Sequence, residues 1–313
     1  MYKRFSFLLG IFIHAASLHA QDPHFSQYNL ARIYTNPAAA GSDSTLNLAV
    51  SGRLQWPKIG GGYTTENFSA DNYFRCLHGG LGINLMHDDA MGFIKTTRAG
   101  LSYAAHMELF RHKLAVQAGI ELGYFQKSAD WSKLTFGDMI DERRGFDYPD
   151  NEFPQQSKKA GIDLSAGLLL YSKQFYGGFA AHHLNEPDEG FLSPSRLPVK
   201  LSVYAGANAM FVVNSASFIL SPNLLFMQQQ DFRELMPGLT VKCKKVVLGL
   251  SYRSEDAFII TAGLQFPFLK LGYSYDYTVS TLTNEASGGA HELQLTFYIH
   301  ASKKAKALSL RMI

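Results

Sequence analysis

The chain has 313 residues and a net charge of +3, which leaves no electrostatic footprint for a nucleic acid. Aromatics make up 13%, mostly 23 Phe and 16 Tyr, and Gly is frequent at 27. The two cysteines, Cys76 and Cys243, lie far apart and fit no metal spacing; they read as two unpaired thiols, with a single disulfide as the alternative.

Residues 1–20 read as a signal peptide. Lys3 and Arg4 form its positive end, Phe5 to Ala16 its apolar run, and Leu18-His19-Ala20 a cleavage site before Gln21. No later stretch approaches 18 consecutive apolar residues, so a membrane role would require a closed barrel. Only helices and closed barrels satisfy every backbone group in lipid. Residues 21–44 form a lead-in, too polar and too proline-punctuated for a strand, with Asn36-Pro37 as a turn signal. Its Phe25, Tyr28, Leu30, Ile33 and Tyr34 predict that it packs as a plug at or in the periplasmic mouth.

Residues 45–299 carry fourteen strand-like runs: 45–55, 63–73, 78–87, 94–109, 112–125, 160–171, 174–183, 199–212, 217–227, 232–242, 245–253, 257–266, 268–278 and 289–299. The last two show the period most clearly. Leu271, Tyr273, Tyr275 and Tyr277 alternate with small or polar residues, as do Leu293, Leu295, Phe297 and Ile299. Links after even-numbered runs are short, whereas those after odd-numbered runs include the two longest, about 126–159 and 184–198. Short turns on one rim and long loops on the other is the pattern of an outer-membrane barrel. The fold predicted is therefore all-β, a transmembrane antiparallel barrel of about 14 strands. Residues 300–313, with Lys303, Lys304, Lys306 and Arg311, would be a basic periplasmic tail.

Parity places Leu46, Leu48, Val50 and Leu54 on lipid and Asn47, Ser51 and Arg53 inside. It also turns Arg98, Arg253, Asp276 and Glu292 inward, all five charges at a similar height near the outer rim. Placing Tyr277 opposite His291 would set Asp276 against Glu292, and closure of the first strand on the last would bring Arg53 within reach of Glu292. This reads as a lumenal charge network that fixes closure. The alternatives are a ligand or conduction constriction, or catalysis, for which no nucleophile and base can be placed. His182 and His183, as neighbours in a strand, should face opposite sides and share no metal. The acidic stretch from Asp138 to Asp150 fits no calcium loop and reads as a surface loop. No HExxH, GxSxG, phosphate loop or CxxC is present; no cofactor and no enzymatic activity is expected.

Three segments carry a family resemblance: the opening QDPHFSQYNLARIYTNPAAAG, the middle GGFAAHHLNEP, and the end, SYRSEDA followed by LGYSYDYTVSTL and SGGAHELQL. The chain resembles the PorP/SprF family of type IX secretion outer-membrane proteins of Bacteroidota. It departs from the pattern at Gly289-Ala290, where Gly-Ser before His is usual. The resemblance implies an outer-membrane component of type IX secretion. Expected partners are membrane lipid, a peptidoglycan-associated periplasmic protein and ring components of the machine, or a secreted adhesin with a C-terminal sorting domain, including those used in gliding. It also gives Asn36-Pro37 the role of seating the lead-in, and Asp276 and Glu292 that of closing the barrel. The alternative function is a channel or transporter for small solutes.

Overall fold

The computed structural model describes residues 22–43, 45–110, 113–133, 140–141, 145–146, 157–213, 216–299 and 310. The signal peptide, most of the acidic stretch 138–150 and the four basic residues of the tail lie outside the described residues.

Alternating apolar and polar residues build a closed antiparallel ring of fourteen strands: β1 (Leu46–Gln55), β2 (Tyr63–Phe74), β3 (Gly79–Ala90), β4 (Ile94–Leu109), β5 (Leu114–Ala129), β6 (Lys158–Tyr171), β7 (Phe175–His182), β8 (Lys200–Ala207), β9 (Ala216–Gln229), β10 (Phe232–Cys243), β11 (Val246–Arg253), β12 (Ala257–Gln265), β13 (Leu269–Thr278) and β14 (Ala290–Ile299). Each strand pairs with its sequence neighbours, and β1 closes on β14 from Leu46↔Ile299 to Gln55↔Ala290. The expected eighth strand, 199–212, is interrupted. Its continuation, Ala209–Val213, stays in register with β9 but has no partner on its other edge among the described residues, so it stands outside the ring. The break falls where β9 carries Pro222, which has no N–H to donate to the ladder.

The three longest links, 130–157, 183–199 and 279–289, leave the same rim. By this sorting the opposite, short-turn rim is periplasmic. Both cysteines are unpaired, Cys76 in a short turn and Cys243 at the end of β10 on that rim.

Burial is inverted relative to a water-soluble protein. Ser51, Asn67, Ser69, Gln117, Ser202 and Gln294 are buried inside the ring, while Leu101, Ile120, Leu122, Leu248, Leu250 and Ile260 are exposed outside it. An apolar surface running round a whole barrel far exceeds the patches that monomeric soluble proteins tolerate, and it suits lipid.

The lead-in is the second part of the fold, and it reaches further than the periplasmic mouth. Its end at Gly41 donates its N–H to Asp71 Oδ2 (2.8 Å) beside β3's first residues, at the short-turn rim. Its beginning, Asp22 to Gln27, lies against the long-loop ends of β1, β4, β11, β13 and β14. The segment therefore threads the lumen through most of its height. Close approach to the wall depends on glycine: a Cβ on Gly80 would stand 2.1 Å from the Ala40 carbonyl oxygen, and one on Gly119 2.4 Å from Ala38 Cα. A small apolar core forms where Tyr28, Ala38 and Ala39 meet Leu169, Tyr171, Tyr204, Leu225 and Met236 of the wall. Leu310 belongs to the same core and donates its N–H to the Ser42 carbonyl (3.2 Å).

Candidate functional site: the lumenal lock

Four of the five charges read from the sequence meet around one short piece of the lead-in. Arg53 and Glu292 are direct partners across the β1–β14 seam. Arg53 Nη1 lies 3.3 Å from Glu292 Oε2, and its Nη2 lies 2.8 Å from Asp276 Oδ2. Arg253 reaches the same Asp276 oxygen at 3.0 Å and Glu234 at 3.4 Å. The expected facing of Asp276 and Glu292 is corrected by two residues: Asp276 pairs with Ala290, and Ser274 with Glu292. The 279–289 link contains a short helix, Asn284–Ser287, capped by Thr283 and closed by Gly288 in the left-handed region (φ 80). That local order consumes residues that an unstructured hairpin loop would have left to the strands.

The centre of this network is Ser26, which sequence reasoning did not single out. Its hydroxyl donates to Asp276 Oδ2 (2.6 Å) and accepts from Arg53 Nη1 (2.7 Å) and Arg253 Nη2 (2.7 Å). One donor and two acceptor positions exhaust what a hydroxyl can offer. The backbone N–H groups of Ser26 and Gln27 donate to the two oxygens of Glu292, at 2.7 and 2.9 Å. Two arginines and two carboxylates of the wall are thus completed by three groups of the lead-in. Charges buried at this depth require pairing, and the lead-in supplies part of the hydrogen bonding they need, while Arg53 Nε, Arg253 Nε and Asp276 Oδ1 stay without a hydrogen-bond partner.

Arg98, the fifth charge, stands apart in a second cluster. It binds Asp22 (3.0 Å) and Glu189 (3.1 Å), and Glu189 also takes Lys127 (3.0 Å). His183 joins Asp22 to Asp163, with its Nδ1 2.7 Å from Asp163 Oδ2. The two histidines were expected on opposite faces, but His183 is the first residue past β7 and has φ 60. The strand period ends there, and both rings turn into the lumen, centroids 6.2 Å apart. His182 contacts Ser165 and the Thr35 carbonyl. Burial lowers the pKa of His183, but the Asp22 and Asp163 carboxylates outweigh it and hold the ring's pKa up at about 9.

Phe25, Tyr28 and Asn36 of the lead-in are buried. Phe25 is buried edge-to-face on Tyr34 (5.3 Å, 83°). Tyr28 reaches Asn223 Oδ1 (3.2 Å). Asn36 is fully buried. Its amide donates to the Leu168 carbonyl (3.0 Å) and the Tyr204 hydroxyl (3.2 Å), while its Oδ1 caps the turn that starts at Pro37 by accepting from Ala38 N–H (2.9 Å). Above the lead-in, on the long-loop side, a cavity of 400 Å³ remains, lined among others by Trp56, Tyr63, Asp88, Phe93, Arg98 and Glu189. Among the described residues no group of His, Cys, Asp and Glu is arranged to hold a metal ion.

A closed antiparallel barrel with an apolar outer belt and a lumen filled by its own N-terminal segment defines a plugged outer-membrane protein. The family of type IX secretion system membrane proteins PorP/SprF matches residues 17–297, and the chain belongs to that family. Its place is the outer membrane. No curated protein matches the sequence. Solved structures to which the chain is similar include the CymD monoaromatic hydrocarbon channel (10% identity, 87% of this chain and 93% of that one, TM-score 0.47). The toluene transporter TbuX of Ralstonia pickettii (10%, 87% and 94%, TM-score 0.44) and the KdgM porin (6%, 81% and 99%, TM-score 0.39) are further examples.

Proposed function

We propose that the protein is a non-enzymatic docking component of type IX secretion. Its short turns and strand ends at the periplasmic rim meet machine partners, among them a peptidoglycan-associated protein and ring components. Its long loops meet a secreted client, such as a surface adhesin, those used in gliding included. The observation that carries this reading is the lock: Ser26 and Gln27 complete four buried charges of the wall, so the lumen is occupied by a segment held in place by charge-assisted hydrogen bonds. Strand walls bridged through their centre make a rigid platform. A small-solute channel, the alternative, requires the lead-in to leave its site.

The test is an affinity pull-down of the tagged protein from native outer membranes, with co-purifying proteins identified by mass spectrometry. Periplasmic machine components, or a protein with a C-terminal sorting domain, recovered in fixed ratio support docking and name the client. Recovery of the barrel alone, together with ion conductance in a planar bilayer, would overturn it.

A further inference from the structure

The geometry points to a saccharide site in the 400 Å³ cavity on the long-loop side of the lead-in, for a neutral unit of one or two sugar rings. The inference is independent of the docking reading. Asp22, Pro23 and His24 line the cavity, so the same segment that plugs the barrel forms part of the cup.

The lining decides the ligand class in three steps. The cations of the wall are already taken, Arg98 by Asp22 and Glu189 and Lys127 by Glu189, so the cup is poorly suited to an anion, and of its carboxylates Asp88 alone stands outside an ion pair among the described residues. A hydrocarbon is equally mismatched, since filling the cup with one would strip water from Asp88, Thr65 and Arg98 and give nothing back. What remains is flat aromatic surface beside planar polar groups. Trp56 is held edge-to-face against Tyr63, centroids 5.7 Å apart at 84°, both residues are half-buried, and Phe93 lines the same cavity. Asp88, fixed by the Thr65 hydroxyl at 2.6 Å, has no ion-pair partner among the described residues. A sugar matches that mixture: its ring offers a C–H face for an aromatic and hydroxyls for a carboxylate and a guanidinium.

Trp56 reports on the site directly. The chain has 2 Trp, and Trp131→Phe leaves Trp56 as the single indole. The full-length variant is purified in an amine-oxide detergent, because an alkyl maltoside would itself carry a disaccharide headgroup. Maltose, cellobiose and diacetylchitobiose are titrated against indole emission, with toluene and triglycine as comparators. The expected result is a saturable change with at least one disaccharide. Asp88→Asn should weaken it about tenfold, the loss that follows when one charge-assisted hydrogen bond becomes neutral. Competition by purified lipopolysaccharide would assign the sugar to a lipid headgroup, and competition by a soluble glucan alone to a free glycan. No saturable change with any of the three disaccharides overturns the proposal, as does saturation by toluene or triglycine only. Because Asp88 lies outside the Ser26 lock, Asp88→Asn should migrate as a folded barrel, which separates lost binding from lost structure.

Discussion

Ser26 concentrates the electrostatics of the barrel in one hydroxyl. Substituting it by Ala removes one hydrogen bond each from Asp276, Arg53 and Arg253 while leaving their mutual ion pairs in place. A hydrogen bond to a charged group is worth about 1.5–3 kcal/mol, but a water in the space left by the hydroxyl replaces most of the three, so the net loss is on the order of one such bond. Arg53→Ala should cost more, because it leaves Glu292 and part of Asp276 buried without a cation, a loss on the order of 3–5 kcal/mol. The expected order of heat stability is wild type, then Ser26→Ala, then Arg53→Ala, measured as the temperature at which folded barrel shifts to unfolded mobility in a detergent gel. An unchanged transition in Arg53→Ala would show that the closure network contributes nothing.

His183 gives the second cluster a pH dependence. Its folded pKa, raised to about 9, exceeds the ordinary value of 6.5. The stabilisation is therefore fully present below about 6.5 and fades as pH rises through about 9, when the ring loses its charge and its pull on Asp22. A protease cut in the first residues of the lead-in should stay slow from pH 6 to 7 and quicken toward pH 10. In His183→Gln the same assay should be flat across that range. A wild-type rate that does not change with pH would show that His183 does not hold the start of the lead-in.

At the scale of elements, the barrel was legible because each strand obeys a period of two and sets greasy residues against lipid. Inward charges were legible for the same reason: an Arg53 or a Glu292 on an otherwise regular strand has one side to point to. Register at β13–β14 was not, because the helix Asn284–Ser287 hides in a link that reads as loop. Ser26 and Asp22 were not either, since nothing local marks a serine or an aspartate in an irregular segment as the partner of residues far along the chain. The lumen-facing turn of His183 depends on one positive φ, which the alternation rule cannot anticipate.

The lead-in's seating depends on absent side chains as much as on present ones. Gly119→Val would set carbon where Ala38 Cα and N stand, each 2.4 Å from the new Cβ, without touching either charge cluster. Since Gly119 is wall and the ring is closed by backbone pairing, the strands should survive and the lead-in should be displaced near Pro37–Ala38. Deleting residues 22–43 should have the larger effect, converting a quiet barrel into a conducting one in a planar bilayer. Gly119→Val should fall between that deletion and wild type. Equal conductance of all three would mean that the segment does not block the lumen.

For the whole molecule the question is whether the lead-in ever moves. A barrel braced from within and a barrel with a removable stopper look alike when closed, but they differ in what a covalent tether does. Ala40 and Gly82 offer the place: a Cβ built on Gly82 would lie 3.1 Å from Ala40 Cβ, close to the separation of about 3.5–4.5 Å that a disulfide spans. The native thiols at Cys76 and Cys243 are first replaced by Ser, so that only the designed pair can oxidise. With Ala40→Cys and Gly82→Cys the lead-in is tied to β3 under oxidising conditions and freed by reductant. A docking platform works with its brace fixed, so secretion of the client should be equal in the oxidised and reduced states. A small-solute channel needs the lumen, so oxidation would abolish conductance in a planar bilayer and reductant would restore it, and a client that passes through the lumen would be secreted only after reduction. The buried contacts on Ser26 favour the first outcome, because releasing the segment takes three hydrogen-bonding groups away from four charges that would keep only their mutual ion pairs. Recovery of secretion on reduction alone would reverse that conclusion and make the lead-in a gate.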